Sequence, residues 1–161
     1  MHWQNKRQIG AFVESNSVVD NLKQTFATAD KITADDLAKI YAPDIVFVDP
    51  LGRVEGLENL SNYFSGVYKN VTSCRFVYID EWRLDSKTSI KWDMIFQHPK
   101  LAGGSEIEVR GVSLLEFSDK VHYHEDIYDV GALMYEHIPV LGQPVKWLKR
   151  RAHNVSIKNK P

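Results

Sequence analysis

Residues 41–56, YAPDIVFVDPLGRVEG, form the stretch that decides the fold. The apolar run at 45–48 predicts a short strand, which ends at Asp49-Pro50 and passes into a glycine-rich turn. Helical periodicity precedes and follows this stretch. Asp49 therefore stands at the end of an apolar strand, a position where an acid either faces water or takes part in chemistry.

The composition is that of one globular domain. The chain has 161 residues, 43% of them hydrophobic and 25% charged, which is enough to bury a sizeable core. A net charge of −1 provides no overall field that would attract nucleic acid or a membrane. The single cysteine, Cys74, excludes an internal disulfide and a cysteine metal cluster. Because no apolar run suits a bilayer span or a signal peptide, we expect a cytoplasmic protein.

Three helices are predicted around the central stretch. Thr33 and Asp36 have the spacing of a capping box at the start of the second helix, and Pro43 stops that helix. Apolar residues at helical spacing mark the three buried faces: Val18, Val19, Leu22 and Phe26; then Leu37, Ile40 and Tyr41; then Leu57, Leu60, Phe64 and Val67.

Long alternating segments follow the helices and predict four strands at 74–84, 89–98, 106–117 and 121–129. Helices followed by an antiparallel meander are typical of the α+β class. We predict an N-terminal arm at 1–15, a domain at 16–130 and a C-terminal helical extension at 131–161.

This pattern resembles the NTF2-like superfamily, and within it the SnoaL-like and ketosteroid-isomerase-like proteins. The residues that carry the resemblance are Tyr41-Ala42-Pro43-Asp44, Val48-Asp49-Pro50, Gly52 and Gly56, with Leu60 and Tyr63-Phe64 behind them. The resemblance implies a cone-shaped fold in which three helices pack on a curved antiparallel sheet. It also implies a pocket between the helices and the concave face, and a homodimer formed through the outer face.

The resemblance gives Asp49 the place of the general base of ketosteroid isomerases. The other polar partners of that enzyme do not carry over. The first helix offers Lys23 and Phe26 where the enzyme has a tyrosine, and Ser113 falls at the position of the second aspartate. Proton transfer that starts at Asp49 is therefore expected to use other partners.

Strand periodicity supplies candidates for those partners. His122, His124, Asp126 and Tyr128 share one strand face, which in the resemblance lines the cone. Neighbouring strands are expected to add Trp92, Met94, Phe96, His98 and Ser113 to the lining. An aromatic pocket with few polar groups suits a small, mostly apolar ligand that carries one or two oxygens.

These residues allow a mechanism that needs no cofactor. Asp49, surrounded by Trp and Phe side chains, would abstract a proton, His124 oriented by Asp126 would donate one, and Tyr128 would bind the developing oxyanion. Isomerisation, dehydration and aldol-type cyclisation all fit, and a water beside Asp49 would instead give epoxide hydrolysis.

Other interpretations stay open at this point. Asp49-Pro50 is also a frequent turn-former, and a register slip of one residue would turn His122 and His124 to solvent. These two histidines and Asp126 have metal-ligand chemistry, but we assign no metal site. A non-catalytic protein that holds a lipid-like ligand would show the same pocket.

The C-terminal extension carries two further hypotheses. Residues 145–151, VKWLKRR, predict a basic amphipathic helix that either packs on the cone or makes weak contact with an anionic membrane surface. Residues 132–141 could cover the mouth of the pocket. The basic run is short and lacks a stacking array of aromatic residues, so no nucleic-acid partner is predicted.

Overall fold

The computed structural model describes residues 18–138 and 142–158, with the side chains of the last helix described as far as residue 152. The predicted arm at 1–15 lies outside these ranges, as do Pro139, Val140 and Leu141.

Helices and strands follow the predicted order. The helices are α1 (18–26), α2 (Ala34–Ile40), α3 (Leu57–Tyr68), α4 (Val130–Leu133) and α5 (Gly142–Lys158). The strands are β1 (Tyr41–Asp49), β2 (Gly52–Glu55), β3 (Ser73–Leu84), β4 (Lys87–Gln97), β5 (Ile107–Phe117) and β6 (Val121–Tyr128). In the described ranges, no helix is long and apolar enough to cross a bilayer.

The six strands form one mixed sheet in the order β2-β1-β6-β5-β4-β3. The antiparallel meander from β3 to β6 confirms the predicted α+β fold. The prediction that the whole sheet is antiparallel was wrong, because β1 pairs in parallel with β6. Helix α3 carries the chain from β2 to β3 at the far edge of the sheet. The meander then returns strand by strand, and its last strand, β6, lies beside β1 and runs parallel to it.

Two local features were also missed. The turn after Asp49 is the tip of a hairpin, in which Asp49 faces Gly52 and Val46 faces Glu55. Strand β1 begins at Tyr41 despite Pro43, because the register shifts between Tyr41 and Val46 and the proline falls in that irregular part. The capping box is confirmed, since Thr33 and Asp36 bond each other's backbone N–H at 3.2 Å.

The core lies between the helices and the inner face of the sheet. Val19, Tyr41, Ile45, Leu60 and Val121 have no exposed surface. Towards one end of the sheet the aromatic side chains stand apart and leave a cavity. The ends of β1 and β6 bring polar residues of the predicted site, Asp49, Asp126 and Tyr128, to this cavity.

Candidate active site

The cavity has a volume of about 380 Å³, which lies within the range of small-molecule sites. The inner face of the sheet and α3 form its walls, whereas α1 and α2 do not reach it in the part of the chain that the structure describes. Aromatic side chains dominate the lining: Phe47, Tyr63, Phe64, Tyr68, Phe76, Trp92, Phe96 and Tyr128. Leu133, Met134 and Ile138, from the segment proposed to cover the mouth, also line the cavity.

Asp49 lines this cavity with a carboxylate that accepts four hydrogen bonds. Its Oδ1 accepts from the backbone N–H of Leu51 at 2.8 Å and of Gly52 at 3.0 Å. Its Oδ2 accepts from the hydroxyls of Tyr63 at 2.5 Å and Tyr128 at 3.1 Å. Asp49 therefore both holds the β1–β2 turn and anchors two tyrosines of the cavity wall.

The two tyrosines remain hydroxyl donors at neutral pH. Burial, followed by the hydrogen bond to Asp49, raises the pKa of Tyr63 above its usual value. Burial, followed by the charge of Asp49, raises the pKa of Tyr128 in the same direction. Their hydroxyl protons are thus held at the edge of the cavity beside a fixed negative charge.

Asp126 lies in a second polar network, which runs behind the wall. Its Oδ1 accepts from the Ser113 hydroxyl at 2.5 Å and bonds His124 Nε2 at 2.9 Å. Ser113 in turn accepts from Trp92 Nε1 at 2.8 Å, and His124 Nδ1 bonds the Tyr41 hydroxyl at 2.7 Å. Four side chains, two in direct contact and two behind them, therefore fix one oxygen of Asp126.

The hydrogen-bond network assigns the tautomer of His124. Burial, followed by the charge of Asp126, raises the pKa of Tyr41 well above its usual value, so its hydroxyl is a donor. We assign a hydrogen to His124 Nε2, because the carboxylate oxygen of Asp126 accepts, and Nδ1 lies 2.7 Å from the Tyr41 hydroxyl.

The second oxygen of Asp126 differs from all the other carboxylate oxygens of the cavity. Oδ2 accepts no hydrogen bond from the residues that the structure describes. No side-chain oxygen or nitrogen without a partner is fully buried in these residues, so Oδ2 has accessible surface. The side chain is 17% exposed and lines the cavity. Asp126 thus lines the cavity with one carboxylate oxygen that has no hydrogen-bond donor among the described residues.

The structure brings most of the predicted residues together. Those that line the cavity are Asp49, Trp92, Met94, Phe96, His98, Asp126 and Tyr128. Ser113 and His124 are buried behind it and act through Asp126. Over the described residues, no group of three His, Cys, Asp or Glu side chains has the arrangement of a metal site.

His122 does not join them, and its predicted inner face was wrong. Strand β6 carries a bulge, because Tyr123 faces Glu116 while Val121 faces Phe117. The extra residue, His122, turns outward and its side chain is 45% exposed, 4.0 Å from Glu116. Strict alternation fails at a bulge, since two residues then oppose one on the partner strand.

Two tyrosines of the site were not predicted from the sequence. Tyr63 follows Leu60 at helical spacing, so the sequence indicates that its side chain points inward. Its hydrogen bond to Asp49 could not be predicted from that spacing. Tyr41 reaches His124 because β1 lies beside β6, with Phe47 opposite His124. The sequence contains no local signal for that pairing.

Comparison with known proteins identifies the relatives of this arrangement. A family model described as a SnoaL-like domain matches residues 22–123, well over half of the chain. None of the curated proteins is significantly similar to it.

Solved structures agree with the family match. A candidate SnoaL-like polyketide cyclase from Jannaschia sp. CCS1 superposes with a TM-score of 0.68 at 15% identity, over 80% of this chain and 93% of that one. A protein with a ketosteroid isomerase-like fold from Catenulispora acidiphila, solved with trimethylamine, gives 0.66 at 14%, over 76% and 93%. TerC, co-crystallised with polyporic acid, gives 0.64 at 15%, over 74% and 95%. At such identities the likeness concerns the fold alone.

Proposed function

Because the chain belongs to the SnoaL-like domain family, we propose that its cavity binds a small, mostly apolar oxygenated ligand and catalyses cofactor-independent proton transfer on it. One observation carries the proposal. Asp126 has one oxygen fixed by Ser113 and His124 and the other free at an apolar wall. A carboxylate held in this way is oriented for one task, which is to take a proton from the ligand and return it.

The reaction begins at a carbon next to a carbonyl group. Asp126 Oδ2 takes the proton from this carbon, and the electron pair of the broken C–H bond moves to the carbonyl oxygen. The Tyr128 hydroxyl, whose bond to Asp49 is the longer of the two at 3.1 Å, turns to donate to that oxyanion. Returning the proton to another carbon gives an isomer, and attack of the enolate on a second carbonyl gives a ring.

Asp49 and His124 support this step without taking the proton themselves. Asp49 is already saturated by four donors, so it anchors Tyr63 and Tyr128. His124 is a positioning residue, because its Nε2–H holds the reactive carboxylate in place. Two solved structures of similar fold support a small organic ligand, since one was solved with trimethylamine and the other with polyporic acid.

The experiment is hydrogen–deuterium exchange at the α-carbon of 2-tetralone in D₂O, followed by ¹H NMR. The ketone is a bicyclic, apolar probe with acidic C–H bonds. We expect exchange above the buffer rate, and a loss of about 100-fold in Asp126→Asn. The matched control is Glu108→Gln, which removes a carboxylate from the exposed outer face of β5. Exchange that survives Asp126→Asn unchanged, or that never exceeds the buffer rate, contradicts the proposal.

His124 is tested in the same assay. His124→Leu removes the donor to Asp126 and is expected to slow turnover about tenfold, the equivalent of one lost charge-assisted hydrogen bond, while KM changes little. His124→Gln places an amide N–H where Nε2–H was and should restore part of the rate. A purely structural role would show the same loss in both variants.

The alternative is a non-catalytic binding protein. The saturated state of Asp49 favours it, because the residue at the family's base position makes only structural contacts here. This function predicts that 2-tetralone changes the tryptophan fluorescence of the protein, and that of a Trp92→Phe variant less, without any exchange of its α-hydrogens.

A further inference from the structure

We propose that the cavity selects ligands that carry a positively charged amine on an apolar body, over neutral and anionic molecules of the same shape. This inference names the ligand class of the same cavity and therefore rests on the proposed function. It follows from the charges of the lining, from the aromatic faces and from the free oxygen of Asp126.

The charges of the lining are all of one sign. Asp49 and Asp126 are its two carboxylates, and no Lys or Arg belongs to the lining among the described residues. His98 is the one histidine there, and its Nδ1 accepts the backbone N–H of Lys100 at 3.2 Å, so that nitrogen carries no proton. His124 is buried behind the wall and does not belong to the lining. An anionic ligand would meet two negative charges in a poorly hydrated space without any compensating cation.

The tyrosines around the cavity lie near the charge of Asp126. Burial is the largest cause that raises the pKa values of Tyr41, Tyr63, Tyr68, Tyr78 and Tyr128, and the charge of Asp126 adds to it in every case. The five tyrosine hydroxyls therefore all lie within reach of the charge of Asp126.

The aromatic walls are suited to an organic cation. The rings of Phe76 and Trp92 meet edge to face with centroids 5.1 Å apart, and Tyr128 lies 6.3 Å from Trp92. Electron-rich ring faces attract ammonium groups, most strongly where water is excluded. The aromatic faces and the carboxylate of Asp126 therefore favour the same cationic group.

The test is a calorimetric titration with three molecules of one shape: 1-naphthylmethylamine, 1-naphthylmethanol and 1-naphthoate, at neutral pH and fixed ionic strength. For the wild-type protein we expect the amine to bind about tenfold more tightly than the alcohol, and the carboxylate most weakly. In Asp126→Asn the amide oxygen can still accept from Ser113 and His124, so the alcohol should keep its affinity while the advantage of the amine is lost. Glu108→Gln changes the net charge equally and should keep the wild-type order.

The outcomes separate the two proposals. If the alcohol binds as tightly as the amine, or if naphthoate binds most tightly, the charge selection is overturned while the ligand-binding cavity stands. If none of the three binds, both proposals fail. The order of the three affinities is measured on the wild-type protein alone. The test therefore remains decisive even if Asp126→Asn is poorly folded.

Discussion

At the scale of single residues, two aspartates with the same chemistry have different tasks because different numbers of donors surround them. Asp49 accepts four hydrogen bonds and Asp126 two, and only Asp126 has an oxygen left for a ligand. The sequence singles out both, Asp49 because it ends an apolar strand and Asp126 because it shares a strand face with His124 and Tyr128. The sequence-based mechanism made Asp49 the base, because the number of donors around each carboxylate depends on Tyr63, Tyr128 and Ser113, which come from other parts of the chain.

Asp49→Asn is expected to destabilise the protein. An amide has one acceptor oxygen, so either the turn N–H groups or the hydroxyls of Tyr63 and Tyr128 lose their acceptor and face an NH₂ group. We expect the free energy of unfolding in urea to fall by about 1–3 kcal/mol. Asp44→Asn, on the exposed part of the same strand, is the matched control and should change it little. Equal stability of the two variants would contradict the anchoring role.

At the scale of elements, the packing of β4 on β5 depends on one missing side chain. Gly111 lies opposite Trp92, and a Cβ on it would stand 2.2 Å from the indole ring. The ring cannot move aside without losing its bond to Ser113, which holds Asp126. The sequence predicted both strands, but neither their register nor the fact that the glycine makes room for the tryptophan.

Gly111→Ala should therefore destabilise the fold by about 1–3 kcal/mol and weaken binding of 2-tetralone. The control is Gly66→Ala in α3, where a Cβ meets nothing within 4 Å. There the same substitution should stabilise the helix by up to about 1 kcal/mol. Both are measured by urea denaturation, and a neutral Gly111→Ala would mean that Trp92 is not fixed.

The start of α2 gives a pH dependence. The hydrogen bonds from Thr33, followed by that from Lys39, lower the pKa of Asp36 from 3.8 to about 2. A pKa depressed in the folded state contributes stability above pH 3.8 that is lost as the pH falls towards 2. We expect Asp36→Asn to lower the thermal midpoint at pH 5, and the difference from wild type to shrink at pH 2. A difference that is constant with pH would contradict the capping role of the carboxylate.

At the scale of the whole molecule, the outer face of the sheet exposes apolar side chains that the core does not need. Val77, Ile79, Trp82 and Ile127 are each 45% exposed or more. We predict that two copies associate through this face. Sedimentation velocity should give a dimer for the wild type and a monomer for Ile127→Lys, with Leu148→Lys on α5 as the control for an exposed apolar residue elsewhere. A monomeric wild type at tens of micromolar would contradict the prediction.

Contact of the helix α5 with an anionic membrane surface stays a prediction. Lys149 pairs with Asp129 and Glu136 and so ties the helix to the segment at the cavity mouth. Trp147 and Leu148 remain exposed, with the Arg151 guanidinium 5.4 Å from the Trp147 ring. Weak contact with a membrane surface predicts co-sedimentation with phosphatidylserine vesicles that salt reverses and Trp147→Ala reduces. Equal behaviour of wild type and variant would remove the membrane hypothesis.

The overall architecture was the most predictable feature, because periodicity in residues 16–129 encodes helices, strands and the inner face of each. The mixed pairing of β1 with β6, the bulge at His122 and the convergence on Asp126 were not predictable, because each depends on contacts between distant segments.

The central claim is that the cavity holds its ligand against the free oxygen of Asp126. A crystal structure of the protein with 2-tetralone tests it most directly. We predict bicyclic density among Phe76, Trp92 and Tyr128, with the carbon next to the carbonyl beside Asp126 Oδ2 and the Asp49 hydrogen bonds to Tyr63 intact. A probe bound outside the cavity, or inside it with its carbonyl turned to Asp49 and away from Asp126, would contradict the account.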